Sequence, residues 1–335
     1  MSTIGILGAG SWGTALAVLL ESNGHEVCMW EFQEDAAKQL AERRENVDFL
    51  PGVRIPLGIY ITTNLKRGAK DKEFLFVVVP SHMVRSVAEQ LAEIQLDRTT
   101  VVSCSKGIEN ETLLRMSEVL SGTIPSLPMD RIVALSGPSH AEEVGRKIPT
   151  VVVAAATNQD AARRVQDVLM SPVFRVYTND DLVGVELGGS LKNVIAIAAG
   201  ISDGVGFGDN TKAALLDRGI VEITRLGTAM GANPMTFAGL SGMGDLIVTC
   251  TSRHSRNRYV GEQIGKGKSL QDVLDRMVMV AEGVRTTQSA YDLSRIHHIE
   301  MPITHEVYKV LFEGKEPKKA VYDLMTRDPK AEDWG

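Results

Sequence analysis

The sequence predicts an α/β chain in two parts: a doubly wound sheet with crossover helices over residues 1–183, and an all-α domain over residues 184–335. Three observations predict it. A buried strand, a glycine turn and an apolar helix follow one another within the first 22 residues. Short β-rich runs then alternate with helical patterns as far as residue 177. From about residue 181 the strand-like runs stop and helical periodicity alone continues, which puts the boundary between residues 181 and 190.

The opening stretch organises the rest. Residues 4–7 read as a buried strand, and Gly8, Gly10 and Gly13 stand in G-x-G-x-x-G spacing. Residues 14–22 read as a helix that Gly24 ends. Gly8 allows the tight turn, Gly10 lets the backbone approach a pyrophosphate, and Gly13 lets helix and strand pack closely. Ser11 and Trp12 sit where the helix N-terminus offers amides to an anion. Residues 25–30 read as the next strand, and Glu31 ends it, about 20 residues past the turn, where an acid holds the ribose hydroxyls of a dinucleotide. Strand, turn, helix, strand and acid together specify a Rossmann domain far better than the glycines alone.

Residues 34–44 read as an amphipathic helix, 48–57 as a loop and 59–62 as a short strand. The continuous apolar run 73–79 suits a central strand buried on both faces. Then come a helix (84–94), a strand (100–103), a helix (111–120) and a strand (132–135). Residues 150–155, 161–170 and 174–177 complete the pattern as strand, helix and strand. Ser11-Trp12, Pro80-Ser81-His82, Lys106-Gly107 and 136–141 fall at the C-terminal strand ends, the rim on which such sheets bind ligands. In the second part, 182–201, 211–230, 235–247, 259–265, 270–279, 287–295 and 304–312 read as helices, with a break over 202–209.

Composition bounds the function. At 44% hydrophobic and 23% charged the chain can build globular cores, and 335 residues exceed one typical core. Forty-two acidic residues against 36 basic ones, net −6, argue against a nucleic-acid surface. Cys28, Cys104 and Cys250 have no metal-ligand spacing and suit a reducing cytoplasm. The first helix is too short to span a membrane, and no signal peptide is read.

Lys192 and Asn193 are the strongly polar side chains of the apolar helical stretch 187–200. The helical neighbours of Lys192, Gly188, Gly189, Ile195 and Ala196, include no carboxylate, so no local ion pair explains the lysine. It is either a snorkelling residue or a desolvated acid/base in a cleft. Asp245 follows a glycine run, and Ser255-Arg256-Asn257 stands just before a helix. Hydroxyl, guanidinium and amide at a helix start make a phosphate cradle or, alternatively, a solvated basic loop.

With these residues on the page the chain resembles the bacterial NAD(P)-dependent glycerol-3-phosphate dehydrogenases over nearly its whole length. The resemblance rests on the opening glycine turn, 79–82, Ser136-Gly137-Pro138-Ser139, 191–196, Gly244-Asp245-Leu246 with Thr249-Cys250-Thr251, and 255–258. It implies a reversible reduction of dihydroxyacetone phosphate to sn-glycerol 3-phosphate that feeds phospholipid synthesis. It also implies a helical C-terminal domain like that of 6-phosphogluconate dehydrogenase, and a homodimer. By the family pattern Lys192 is the general acid/base, and Lys106 and Asp245 belong to the catalytic set. Gly137, Ser139, Asn193, Ser255, Arg256 and Asn257 join those three in lining the substrate. Ser11, Trp12, Lys106, Ala141, Arg256, Val280 and Glu282 contact the cofactor.

The chain has Phe32 and Gln33 where bacterial relatives often carry His or Arg, and His140 where Phe is common. Without a cation at 32–33 the expectation is NAD or NADP with a lean toward NAD. Two rival readings share parts of the pattern: a β-hydroxyacid dehydrogenase, which also has the helix lysine, and a dinucleotide sensor without turnover.

Overall fold

The computed structural model describes residues 1–329 and 331–332. The chain forms two compact units: Met1–Lys106 with Leu114–Glu186, and Gly107–Leu113 with Leu187–Gly335.

The apolar runs of the first unit become strands because each can be covered on both faces. In chain order they are β1 (Thr3–Leu7), β2 (Glu26–Trp30), β3 (Glu45–Asn46), β4 (Leu50–Arg54), β5 (Tyr60–Thr62), β6 (Phe74–Val77), β7 (Thr100–Ser103), β8 (Ile132–Ser136), β9 (Thr150–Ala155) and β10 (Phe174–Asn179). The helices between them are α1 (Ser11–Ser22), α2 (Glu34–Arg43), α3 (Leu65–Ala69), α4 (Val84–Leu91), α5 (Met116–Thr123), α6 (Ala141–Gly145) and α7 (Gln159–Leu169). Eight strands make one sheet in the order β10-β9-β8-β7-β6-β1-β2-β5. Alternation along β1 sends Ile4 and Ile6 to a core with Leu16, Leu20 and Phe174, and Leu7 to another with Leu75, Val101, Leu91 and Leu120. From β1 the chain first builds outward through β2 and β5, then returns to lay β6 on the other side of β1. That reversal opens the ligand crevice of an open α/β sheet.

Several expectations need correction. The sheet is parallel except where β9 runs antiparallel to β8, because the link between them holds only the short α6 and cannot make a full crossover. Residues 48–57 are more than a loop: β4 pairs with β3 as a two-stranded ribbon. The helix expected at 111–120 starts later, at Met116. Leu113 takes a positive φ of 59°, and Arg115 opens the helix through a capping box with Glu118. The short α3, which Asn64 caps, had no counterpart in the sequence pattern.

Helix α8 (Leu182–Val205) begins in the first unit and enters the second at Leu187; then follow α9 (Asp209–Ala229), α10 (Pro234–Phe237), α11 (Asp245–Thr251), α12 (Arg256–Gly265), α13 (Leu270–Leu274), α14 (Glu282–Ile296), α15 (Pro302–Phe312) and α16 (Pro317–Met325). Helix α8 runs into the expected break as far as Val205, and the break itself falls at 206–208, before α9. The helix expected at 235–247 is instead α10, a π-helical turn at Leu240–Gly244 and α11, a run that Gly239, Gly242 and Gly244 interrupt. The helix expected at 270–279 ends at Leu274, and α16 had not been anticipated.

By length and composition α8 is apolar enough to cross a membrane, yet 89% of that stretch is buried within the protein, as in a core helix. It packs on α12 backbone to backbone. A Cβ on Gly200 would fall 2.0 Å from the Arg258 carbonyl oxygen, and one on Gly261 2.0 Å from that of Ile197.

Glu222 on α9 is buried and accepts bonds from the amides of Ile303 (2.6 Å) and Thr304 (3.1 Å) and from the Thr304 hydroxyl (3.0 Å), so it caps α15 across the core. Burial pushes its carboxyl up from 4.5 to about 7, and those amides oppose the rise. A carboxyl raised in the folded state contributes stability that is complete below its unfolded value and lost as pH climbs through the folded one. From pH 4.5 to 7 the loss is on the order of 3 kcal/mol. Thermal unfolding of Glu222→Gln should therefore show a visibly flatter decline of midpoint between pH 5 and 8 than the parent chain. An unchanged slope would assign the decline to other groups.

Candidate active site

Each unit assembles its own polar cluster. In the first, the C-terminal strand ends are tied together: the Gly8 amide donates to Trp30 O (3.1 Å), Val78 to Leu7 O (2.8 Å) and Cys104 to Val77 O (2.9 Å). Gly8 has φ +109°, open to glycine alone without strain, and a Cβ on Gly13 would lie 1.9 Å from Gly8 O. Gly10 faces open space, with nothing within 4 Å of where its Cβ would be. Helix α1 begins there with no side-chain cap, and the amides of Ser11, Trp12 and Gly13 have no acceptor among the described residues. Unobstructed space in front of uncapped helix amides fits the pyrophosphate of a dinucleotide.

Glu31 turns its carboxylate back toward this turn. It accepts from the Gln33 amide at 3.0 Å. Burial pushes its carboxyl above the ordinary range, while the amides of Gln33, Ala9 and Phe32 draw it down. Phe32 is 62% exposed and Gln33 is exposed as well. The guanidinium of Arg44 donates to Pro56 O (3.2 Å) and Ile59 O (2.8 Å), which holds it on the loop before β5.

Beside the turn, Lys106 Nζ donates to Gly137 O at 3.2 Å and Ser139 Oγ donates to the same oxygen at 2.9 Å. Three residues singled out separately in sequence thus meet at the ends of β7 and β8, and Ala141 opens the helix that follows. Asn46, which the sequence reading missed, is buried, and its Nδ2 donates to Ala9 O (2.8 Å) and Thr14 Oγ1 (2.9 Å). An asparagine in a polar loop carries no signal of its own, and only the β3–β4 ribbon brings it under the glycine turn.

In the second unit Lys192 is 6% exposed. Its Nζ lies 2.5 Å from Asp245 Oδ1 and 2.7 Å from Thr249 Oγ1. The ion pair missing within the helix is supplied from 53 residues away. The π-helical turn at Leu240–Gly244 delivers Asp245 to the start of α11, and Thr249 follows one turn on, its hydroxyl also bonded to Asp245 O at 2.6 Å. Thr249 stood in a quoted motif without a role; its i+4 spacing from Asp245 was the available signal. A Cβ on Gly188 would lie 2.7 Å from Ser241 O, so glycine at that position permits the approach.

Asn193 Oδ1 accepts from Asn257 Nδ2 (2.8 Å), and Asn257 Oδ1 accepts from the Gly283 amide (2.8 Å). This relay joins α8 to the first turns of α12 and α14 and leaves Asn257 one Nδ2 hydrogen. Ser255 caps α12 by accepting from Arg258 N (3.2 Å), and Arg256 is exposed at the first helical position. The basic neighbour Arg258 is not part of a loose loop: it is paired with Asp203 at 2.7 Å. Glu282 opens α14, and it and Val280 are half-buried. Among the described residues no cluster of His, Cys, Asp and Glu could hold a metal ion.

Residues 3–162 match the family model described as NAD-dependent glycerol-3-phosphate dehydrogenase N-terminus, and residues 181–322 match its C-terminus counterpart. The chain belongs to this family. A Thermoanaerobacter sp. protein named glycerol-3-phosphate dehydrogenase, NAD(P)+, is 56% identical over 329 residues, 98% of both chains. A protein of the same name from Prosthecochloris aestuarii is 54% identical over 98% of this chain and 99% of its own. The 2.1 Å crystal structure of glycerol-3-phosphate dehydrogenase from Coxiella burnetii superposes with a TM-score of 0.93 at 36% identity, over 97% of this chain and 99% of that one.

Asn46→Ala should weaken binding of the dinucleotide about 5- to 50-fold, since it removes two buried bonds that brace the turn. Calorimetric titration with NADH reads this directly. Unchanged affinity would mean the turn keeps its shape without the brace.

Proposed function

We propose that the protein catalyses the reversible NAD(P)-dependent reduction of dihydroxyacetone phosphate to sn-glycerol 3-phosphate, for phospholipid synthesis. In this reading residues 1–183 bind the dinucleotide, and residues 184–335 bind substrate and carry the acid/base. The observation that carries it is the buried Lys192, whose ammonium is gripped by Asp245 and Thr249 next to the asparagine relay. Family membership raises the same reading independently.

Ser11, Trp12, the three glycines and Glu31 hold the adenine-side ribose and pyrophosphate, and Lys106, Ala141, Arg256, Val280 and Glu282 complete the cofactor contacts. Gly137 and Ser139 line the substrate with Lys106. Arg256, the remaining Asn257 hydrogen, the Ser255 hydroxyl and the positive end of α12 take the phosphate. Binding that non-reacting group orients the ketone. The reduced nicotinamide, when bound, supplies the hydride. Lys192 Nζ gives a proton to the ketone oxygen as negative charge develops there, and is left as a neutral amine that regains its proton from solvent. Asp245 and Thr249 fix the direction of Nζ.

The carboxylate of Glu31 beside the glycine turn, with Arg44 held elsewhere, favours NAD over NADP: a 2′-phosphate would meet a like charge there. A homodimer in the cytoplasm completes the proposal, on the family resemblance.

Lys192→Met should lower kcat for dihydroxyacetone phosphate by about 10²- to 10⁴-fold with NADH affinity close to the parent's. Near-normal turnover would remove Lys192 from the role. Activity on dihydroxyacetone or on β-hydroxyacids equal to that on the phosphorylated ketone would favour the β-hydroxyacid dehydrogenase reading, and binding of NADH without turnover on any of them would favour a sensor. In a second experiment at one fixed salt concentration, kcat/KM should be higher with NADH than with NADPH. A clear preference for NADPH would show that an exposed cation such as Arg43 reaches the 2′ position.

A further inference from the structure

Lys106 closes a run of three residues past β7, and each of the three is held by a different part of the first unit. The ladder of β6 with β7 ends at Val77 and Ser103, with the Cys104 amide on Val77 O (2.9 Å). Alternation then sends Cys104 and Ser105 to opposite faces. Cys104 is buried in the core of Ile4, Ile6 and Phe174, and its sulfur accepts from the Trp12 indole. Ser105 Oγ donates to Val79 O at 2.5 Å. Lys106 Nζ donates to Gly137 O at 3.2 Å.

Val79 gives Ser105 a fixed point to lean on. Its side chain is buried in one core with Leu7, Val77 and Val84, and the Val78 amide before it is bonded to Leu7 O (2.8 Å). Val79 lies past the end of β6, so its carbonyl has no ladder partner, and the Ser105 hydroxyl supplies the donor. The far end of Lys106 also meets a fixed acceptor. Gly137 has φ +129°, and a Cβ there would lie 3.1 Å from Val152 Cα, so its backbone is pressed on β9. Ser139 Oγ donates to the same Gly137 oxygen at 2.9 Å. A lysine stem is flexible by nature. One that is fastened beside its own backbone and again at its ammonium has few directions left.

We propose that Ser105 is a positioning residue for the ketone substrate: by tying the chain to Val79 O it sets where the Lys106 ammonium stands. This rests on Lys106 lining the substrate. Ser105 acts through its neighbour, so its effect belongs to binding. A group that holds the ketone equally before and during hydride transfer shows in KM and leaves kcat nearly alone. The loss of one such hydrogen bond corresponds to about a 3- to 10-fold change in affinity.

The test uses the full chain saturated with NAD+. The oxidised cofactor has no hydride to give, so dihydroxyacetone phosphate binds without turnover and calorimetry reads its Kd. Ser105→Ala should raise that Kd by about 3- to 10-fold. In steady state with NADH, KM for the ketone should rise by the same factor, with kcat within about twofold of the parent. Ser105→Thr restores the hydroxyl and should return both constants to within about twofold. In a Lys106→Met background, Ser105→Ala should change the Kd by less than about 1.5-fold, because no ammonium is left to position.

A hydroxyl that merely satisfies Val79 O predicts a lower melting temperature with Kd and KM unchanged, and that result overturns the proposal. So does an equal loss of affinity with and without the Lys106 ammonium, which would mean that Ser105 does not act through it. If the alanine variant does not fold, Ser105→Cys, of similar shape and a weaker donor, is read by the same criteria. Lys106→Met alone separates the two readings. If it binds the ketone as the parent does, Lys106 leaves the substrate site and the role of Ser105 falls with it. If it binds more weakly while Ser105→Ala is normal, only the role of Ser105 falls.

Discussion

The second unit depends on one buried contact, the ion pair of Lys192 with Asp245. Two charges at 6% and 1% exposure are tolerable only if each satisfies the other, because withdrawing either alone from water costs several kcal/mol. That condition shapes everything around it. Asp245 has to arrive from a different helix, so the chain makes a π-helical turn at Leu240–Gly244 in front of it. The turn has to press against α8, so position 188 has no side chain. Thr249 takes a second ammonium hydrogen, and the Asn193–Asn257–Gly283 relay steadies the neighbouring turn. A buried lysine held by a carboxylate and a hydroxyl keeps its ammonium aimed in one direction.

The first unit meets the opposite demand. Its glycine turn leaves the first amides of α1 without an acceptor among the described residues, and that exposed helix start has to be stabilised from behind. Asn46 does so through Ala9 O and Thr14 Oγ1, and the packing of Gly13 on Gly8 O removes the remaining freedom. Glu31 closes the ring with its carboxylate on the same turn. Rigidity behind the loop suits open space in front of Gly10, because amides ordered before binding need not be ordered during it.

The edge of the sheet is managed by side chains. Among the described residues strand β10 pairs with β9 alone, and its outer backbone groups at Val176 are taken by Gln166 Nε2 (2.7 Å) and Met170 Sδ (3.2 Å). Pairing along the strand is interrupted at that residue. The same strand then leads through Asn179 and Asp181 into α8, so this edge is also where the lysine-bearing helix begins.

By itself the sequence determined what depends on near neighbours. Period-two and period-3.6 patterns lie within one element, so β1, α1, β2, the run that became β6 and the change to helices after residue 181 were legible, as was the glycine turn with Glu31. Lys192 stood out because its own helix held no partner for it. The antiparallel β9, the β3–β4 ribbon and the division of 235–247 into three pieces were not legible, since each reflects what the chain packs against. The tertiary structure alone decided that Asp245 and Thr249 answer Lys192, that Asn257 turns its amide to Asn193 and Gly283, and that Asn46 lies under the turn. The physical reason is common to all of them. A buried polar group must find a partner, but any acid or amide in the sequence can satisfy that rule, and only the packing of helices at close range selects which one does.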